Sequence, residues 1–162
     1  MKTLILMRHA KSSWGNPNLP DRDRPLNKRG MRAAPLIGRW LVEHDLVPDH
    51  GFVSNARRTA ETWQGLALDT PVTFSKALYH AGPHLMIEVI ERSEDECVLL
   101  LGHNPGSAEL ASMLASDPPS HPRFDQFPTA SVLVVDFDIA NWRDLPGRTG
   151  ALRHFVTPHD LV

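Results

Sequence analysis

The stretch Leu4-Ile5-Leu6-Met7-Arg8-His9 decides the fold, because a short apolar run breaks off at an arginine and a histidine. A similar run, Val98-Leu99-Leu100-Leu101-Gly102, breaks off at His103, and Phe52-Val53-Ser54 leads into Asn55-Ala56-Arg57-Arg58. Short apolar runs between polar residues are typical of buried strands. Since ligands of open α/β sheets bind beyond the carboxyl ends of the strands, we expect two histidines and two or three arginines at one edge of one sheet.

The composition is that of one globular domain over residues 1–162. The chain has 162 residues, of which 41% are hydrophobic, enough for a packed core. Its net charge of −2 provides no basic field, so we expect no nucleic-acid partner. The single cysteine excludes a disulfide framework. No apolar run approaches the ~18 residues of a membrane span, so we expect no membrane association and a cytoplasmic location.

Strand and helix patterns alternate along the chain. The predicted strands cover residues 2–7, 52–54, 71–74, 97–101, 131–137 and 152–156. The predicted helices cover residues 28–43, 56–66, 83–92 and 105–115. This alternation favours a parallel sheet with helices on both faces. We therefore expect an α/β fold, a three-layer α/β/α sandwich with a central, mostly parallel sheet.

Two asparagines are predicted to begin helices. Asn27 stands before the first helix, and Asn104 stands before Pro105, which is favoured at a first helical position. Residues 10–25 form a long loop with several prolines, and loops of this length in compact domains are often functional. We expect this loop to cover the pocket at the strand ends.

The residues at the strand ends suit a phosphoryl group, which carries nearly two negative charges at neutral pH. Guanidinium groups pair with phosphate oxygens bidentately, so Arg8 and one arginine of Arg57-Arg58 predict a cationic cradle. A neutral imidazole at His9 is able to attack phosphorus. His103, near a helix N-terminus, adds a donor for the anion.

Three motifs in order resemble the histidine phosphatase superfamily. They are Met7-Arg8-His9-Ala10-Lys11-Ser12, Ser54-x-Ala56-x-Arg58-x-x-Glu61-Thr62 and Gly102-His103-Asn104-Pro105. Within that superfamily, the chain is similar to the small SixA-type phosphohistidine phosphatases. The segments that carry this second resemblance are residues 8–14, 23–30 and 128–130. The resemblance spans nearly the whole chain and implies a single histidine phosphatase domain with a phosphoglycerate mutase-like fold.

The resemblance also implies an activity. It is metal-independent hydrolysis of a phosphoryl group, with protein phosphohistidine as the leading substrate, a phospho-His9 intermediate and no cofactor. The implied partner is a phosphorylated protein or a small phosphorylated substrate. The family spacing selects Arg58 over Arg57, which is then expected to face solvent. The implied catalytic residues are Arg8, His9, Arg58 and His103. The expected substrate-binding residues around them are Lys11, Ser12, Asp21, Tyr79 and Asn104.

One departure from the family concerns the general acid. Many members use a glutamate between the second and third motifs, whereas residues 77–81 contain no carboxylate. The departure favours a phosphoramidate substrate, whose imidazole leaving group demands less of an acid. Asp21 and Asp23 are candidate substitutes, and we prefer Asp21 because Asp23 is expected to serve Arg24.

Three alternatives stay open from the sequence. A non-catalytic phosphohistidine-binding or signalling module would keep the cradle and lose turnover. A small-molecule phosphomonoesterase would use the same residues on another substrate. Asp136-Phe137-Asp138 after an apolar strand resembles the first motif of the Mg²⁺-dependent haloacid dehalogenase-type phosphatases, although little chain follows it.

Overall fold

The computed structural model describes all residues from Met1 to Val162 and contains one six-stranded sheet. The strands are β1 (Lys2–Arg8), β2 (His50–Ser54), β3 (Val72–Ser75), β4 (Cys97–Gly102), β5 (Val132–Phe137) and β6 (Ala151–Val156). The α-helices are α1 (Lys28–Glu43), α2 (Arg57–Leu66), α3 (Pro83–Glu91) and α4 (Gly106–Leu114). Short 3₁₀ helices cover Asp21–Asp23, Lys76–Leu78, Trp142–Asp144 and Pro158–Leu161. None of the helices combines the length and the apolar character that crossing a bilayer demands.

The sheet is mostly parallel, as predicted. Its strand order is β3-β2-β4-β1-β5-β6, and the pairs β1–β4, β2–β4 and β2–β3 are parallel. β5 is antiparallel to both of its neighbours, β1 and β6. In the central pair, Arg8 lies opposite Gly102 at the carboxyl ends of β1 and β4. The strand ends that carry the predicted site are therefore adjacent.

Alternate residues of the strands face two different cores, which confirms the three layers. Ile5 and Met7 of β1 are buried in a cluster that includes the apolar side chains of α1 and α2. Leu4 and Leu6 are buried in a second cluster with the side chains of α3 and α4. Because both faces of the central strand are covered, β1 reads as a continuous apolar run.

Glycines bring two helices against the loops of the site. A Cβ on Gly30 in α1 would lie 2.2 Å from the carbonyl oxygen of Lys11, and one on Gly106 in α4 would lie 2.0 Å from that of Ala81. Any side chain at either position would push the helix away from the backbone it touches. The two glycines thus set how closely α1 and α4 approach the loops that follow β1 and precede α3.

The predicted helix starts hold for α1 and fail for α4. Asn27 caps α1, and its Oδ1 accepts a hydrogen bond from the backbone N–H of Gly30 at 2.9 Å. The cap residue of α4 is Pro105 rather than Asn104, and the helix begins at Gly106. The Asn104 side chain is held one residue further out, because its Nδ2 donates to the carbonyl oxygens of Gln126 and Phe127. Its Oδ1 still accepts from the N–H of Ala108 at 3.2 Å.

Candidate active site

The two predicted histidines meet at the carboxyl ends of β1 and β4. The backbone N–H of His9 donates to the carbonyl oxygen of Gly102 at 3.1 Å, which extends the parallel ladder by one bond. The ring centroids of His9 and His103 are 5.3 Å apart, and both side chains are buried. The register of two neighbouring strands therefore places both imidazoles in one pocket.

The hydrogen bonds of His9 leave one ring nitrogen free to react. Its Nδ1 lies 2.7 Å from the carbonyl oxygen of Ala10. Because a carbonyl oxygen only accepts, Nδ1 carries the proton and Nε2 carries the lone pair. Burial, together with the charges of Arg8 and Arg58, lowers the pKa of His9 to about 3. His9 is therefore a neutral, oriented imidazole at neutral pH.

His103 is held from both sides. Its Nε2 lies 2.7 Å from the hydroxyl oxygen of Ser54 at the end of β2, and Nη2 of Arg58 approaches its Nδ1 at 3.4 Å. A guanidinium only donates, so in this arrangement Nδ1 accepts and Nε2 donates to Ser54. Burial, with the neighbouring His9 and Arg58, lowers the pKa of His103 to about 3.

Two guanidinium groups flank the histidines. Arg58 lies in the first turn of α2 and is only 3% exposed, whereas its neighbour Arg57 is exposed and pairs with Glu61. Arg8 donates to the carbonyl oxygen of Phe127 at 3.3 Å. The Nε atoms of Arg8 and Arg58 are buried and have no acceptor in the protein.

The two arginines also repel each other. Burial and the charge of Arg58 both lower the pKa of Arg8. A dianion between the guanidinium groups would relieve this repulsion. The pair therefore suits a phosphoryl group better than a neutral ligand.

Asp21 occupies the outer side of Arg58. Its Oδ2 accepts from the Tyr79 hydroxyl at 2.6 Å, from Nη2 of Arg58 at 3.0 Å and from Nε2 of His80 at 3.2 Å. These bonds, the one from Tyr79 foremost, hold the pKa of Asp21 well below its usual range. Burial and the same contact raise the pKa of Tyr79. Asp21 is therefore an ionised acceptor in this arrangement, with no proton to donate.

Arg24 organises the loop that follows β1. Its Nε donates to Oδ1 of Asp21 at 3.1 Å, and its Nη1 donates to the Ser12 hydroxyl and to the Ser13 carbonyl oxygen, both at 3.1 Å. Its guanidinium also stacks on the Trp14 ring, 3.5 Å from the centroid. Our expectation that Asp23 serves Arg24 is wrong, because Asp21 is its partner. Ser12 thus lies at the base of this loop.

The remaining predicted residues lie further out. Lys11 lines a neighbouring cleft, and its backbone carbonyl accepts from the N–H of Asn27. Asn104 uses its whole amide on backbone groups, including Phe127, whose carbonyl oxygen also accepts from Arg8. Asn104 therefore braces the segment that positions Arg8.

Two positioning residues lay unassigned within the second motif. Thr62 accepts from the backbone N–H of Ala10 at 3.0 Å and donates to the carbonyl oxygen of Arg58 at 2.7 Å. Ser54 orients His103 through its hydroxyl. The motif itself contained both residues, but the sequence gives no indication of which group each one meets. A third positioning residue, His80, lies outside the motif, and its Nε2 is 3.2 Å from Oδ2 of Asp21.

The acidic pair at the end of β5, Asp136 and Asp138, lies away from the active site. Asp136 is paired with Arg153 at 2.8 Å and accepts from the Thr3 hydroxyl at 2.6 Å. Because β5 runs antiparallel to β1, Asp136 lies opposite Thr3 near the start of β1. This is the end of the strands that is remote from His9. The resemblance to the haloacid dehalogenase-type motif therefore has no counterpart in the site. Asp136 instead connects β5 to its two neighbouring strands, through Arg153 of β6 and Thr3 of β1.

Comparison with known proteins gives matches over nearly the full chain. Residues 4–80 match the model of the histidine phosphatase superfamily (branch 1). An uncharacterized protein of Mycobacterium tuberculosis is 36% identical over 159 residues, covering 94% of this chain and 99% of the relative.

Two solved structures share the fold along their whole length. A proposed phosphohistidine phosphatase SixA from Nakamurella multipartitia has a TM-score of 0.84 and 27% identity, covering 97% of this chain and 96% of that chain. A second one, from Agrobacterium tumefaciens, has a TM-score of 0.80 and 29% identity, covering 97% and 98%. Since sequence and fold agree along the whole domain, the chain belongs to the histidine phosphatase superfamily, as one of its SixA-type phosphatases.

Proposed function

We propose that this phosphatase hydrolyses protein phosphohistidine without a metal ion, through a phosphoryl group carried on Nε2 of His9. The observation that carries the proposal is the hydrogen bond from Nδ1 of His9 to the Ala10 carbonyl oxygen. It leaves the Nε2 lone pair available, and burial keeps the ring neutral at working pH. A site that only bound phosphohistidine would have no use for a nucleophile prepared in this way.

In the first step, Nε2 of His9 attacks phosphorus and the bond from phosphorus to the substrate's imidazole nitrogen breaks. Arg8 and Arg58 hold the phosphoryl oxygens, on which charge is spread in the transition state. For this, the phosphoryl group takes the place of Asp21 on Arg58. Since the Ser54 hydroxyl is able to donate as well as accept, His103 is then free to carry its proton on Nδ1.

The leaving group decides between substrate classes. With Asp21 held ionised, no protonated carboxylic acid stands ready to protonate an alkoxide. A phosphohistidine ring takes a proton from water on its other nitrogen and then leaves as a neutral imidazole. This chemistry favours phosphohistidine over an alkyl phosphomonoester.

In the second step, water attacks the phosphorus of phospho-His9 and the bond from phosphorus to Nε2 breaks. Orthophosphate takes up the proton that water loses, and His9 returns to its neutral form. The overall reaction consumes one water and the one solvent proton that the leaving imidazole takes up, and it releases one phosphate as the dihydrogen anion. Arg8 and Arg58 hold the same oxygens in both steps.

The test is phosphate release from a phosphohistidine peptide in EDTA, with wild type, His9→Ala and Arg57→Ala as a surface control. Wild type and Arg57→Ala are expected to turn over, and His9→Ala to be inactive. Labelled substrate quenched rapidly is expected to leave an acid-labile, base-stable label on wild type only. Full activity of His9→Ala, or loss of wild-type activity in EDTA, would overturn the mechanism.

Substrate choice is tested with matched phosphate donors. A phosphohistidine peptide and an aryl phosphate, whose phenolate is a good leaving group, are expected to be hydrolysed far faster than an alkyl phosphate. Equal rates on the alkyl phosphate would favour a phosphomonoesterase. Tight binding of the phosphohistidine peptide without any turnover would favour a binding module.

A further inference from the structure

A second cationic region lies beside the active site. It is an open cleft of about 400 Å³ between the start of α1, the segment before β5 and the last residues of the chain. We call it the basic cleft. Its charged and polar lining includes Lys11, Arg29, Arg32, Arg123, Thr129 and His159.

The cations of the basic cleft have no partners in the molecule. None of the ion pairs of the chain involves Lys11, Arg29, Arg32 or Arg123. Exposed arginines elsewhere, such as Arg39 and Arg92, also form no ion pair, so the basic cleft is distinguished by the grouping of its cations.

No aspartate or glutamate lines the basic cleft either. Val162 lies at its rim, and its carboxylate forms no ion pair with these side chains. The nearby Asp160 is engaged by His121 and by Thr157. In a chain with a net charge of −2, this is a local concentration of free positive charge.

The basic cleft shares its wall with the active site. Lys11 follows His9 by two residues, and its backbone packs against Gly30 in the first turn of α1. Thr129 precedes Ala130, whose N–H donates to the carbonyl oxygen of His9 at 2.9 Å. If a substrate protein places its phosphorylated side chain in the active site, the residues that flank that side chain therefore lie close to these cations.

We propose that the basic cleft docks an acidic segment of the phosphorylated protein, rich in aspartate or glutamate, next to the residue that is dephosphorylated. The inference rests on the proposed function, since it concerns the part of the substrate protein that surrounds the phosphohistidine. Arginine side chains pair bidentately with carboxylates, and three arginines from two elements suit several carboxylates spread along a chain. The lining has no aromatic side chain other than the His159 ring, so it offers little for stacking a nucleotide base.

The test compares charge reversal inside and outside the basic cleft. Arg29→Glu/Arg32→Glu changes the cleft, and Arg39→Glu/Arg92→Glu makes the same change in net charge at exposed residues outside it. Each is assayed on a phosphohistidine peptide with acidic flanks, on the same peptide with neutral flanks and on an aryl phosphate. The cleft variant is expected to raise KM for the acidic peptide about tenfold or more, with unchanged kcat and unchanged rates on the other two substrates. The control variant is expected to resemble wild type.

Binding of the unphosphorylated acidic peptide, measured by fluorescence anisotropy, separates this proposal from the proposed function. If wild type binds this peptide and the cleft variant does not, the docking surface stands even if no phosphohistidine is hydrolysed. Equal losses on acidic and neutral peptides, or equal losses in both variants, would overturn the docking proposal. So would a cleft variant that loses affinity for inorganic pyrophosphate but keeps its affinity for the acidic peptide, which would make the cleft a small-anion site.

If charge reversal impairs folding, Arg29→Gln/Arg32→Gln replaces it. That milder variant is expected to weaken binding of the acidic peptide by a smaller factor in the same direction. Unchanged binding in a folded glutamine variant would count against the proposal.

Discussion

The active site has two halves that are built differently. The strand-end half consists of Arg8, His9, Ser54 and His103, and the ends of β1, β2 and β4 hold it. The loop half consists of Asp21, Arg24, Tyr79 and His80, and hydrogen bonds between side chains hold it.

Burial also separates the two histidines from most of the loop half, in which Arg24 alone is buried. His9 and His103 are 6% and 2% exposed, whereas the side chains of Asp21 and His80 are 40% and 52% exposed. Arg58 touches both halves. The sheet thus positions the half that performs chemistry, while hydrogen bonds between charged and polar side chains position the half that lies beside it.

Among the predictions that compare the two halves, the largest expected effect comes from removing the residue that they share. Arg58→Ala is expected to lower kcat/KM on a phosphohistidine peptide by about 10²–10³-fold, the usual cost of a lost donor to a developing anion. Arg57→Ala, its exposed neighbour, is the matched control and is expected to stay within twofold. Similar losses in both variants would mean that α2 matters as a whole and that Arg58 has no special part.

Acid is expected to destabilise the strand-end half. His9 and His103 both have a folded pKa of about 3, below the ordinary value of 6.5. Between these values the unfolded chain binds protons that the folded chain does not, so stability falls as pH falls. Each histidine is expected to contribute about 1 kcal/mol per pH unit to this fall. Denaturant unfolding from pH 7 to pH 4.5 measures it, and His9→Asn/His103→Asn should show a shallower slope. An unchanged slope would refute the pKa assignments.

Loss of the hydrogen bond between Thr62 of α2 and the backbone of Ala10 is expected to have a smaller effect. Thr62→Val keeps the shape of the side chain and leaves the buried N–H of Ala10 without an acceptor, at a cost of about 1–3 kcal/mol. Thr70→Val, at a half-buried threonine that donates to Pro48, is the control. We expect a lower melting temperature and a reduced kcat for Thr62→Val alone. A stable, slow variant would mean that the bond orients His9 without supporting the fold.

The smallest effect is expected in the loop half. Inorganic phosphate must displace the Asp21 carboxylate from Arg58, and this pair is partly exposed and worth about 1 kcal/mol. Asp21→Asn is therefore expected to bind phosphate about fivefold more tightly, measured as the inhibition constant of phosphate. Weaker binding in Asp21→Asn would mean that Asp21 supports the cradle instead of competing for it.

The strand-end half could be predicted from the sequence because periodicity predicts strands and parallel strands share one edge. His9 and His103 follow two apolar runs, and the register of β1 and β4 brings those runs level. The same reasoning predicted the three layers. It missed the first turn of α4 by one residue, because the side chain of Asn104 is drawn to carbonyl groups far away in sequence.

The loop half could not be predicted in the same way. Asp21 meets Tyr79 and Arg58, which are 58 and 37 residues away in sequence, and no local pattern encodes these pairings. Sequence proximity suggested Asp23 as the partner of Arg24, whereas the turn at Asp21–Asp23 directs Asp21 to it. The basic cleft escaped prediction for the same reason, since Arg123 is far in sequence from Arg29 and Arg32 of α1.

The reversed direction of β5 has a practical consequence. Its carboxyl end pairs with the start of β1, so the turn between β5 and β6 leaves the sheet at the opposite end from His9, and the seven residues of β1 span roughly 20 Å. Gly147 and Arg148 in that turn are exposed. A fluorescent reporter or affinity tag inserted there would let the protein be immobilised or tracked with its substrate-facing surface unobstructed.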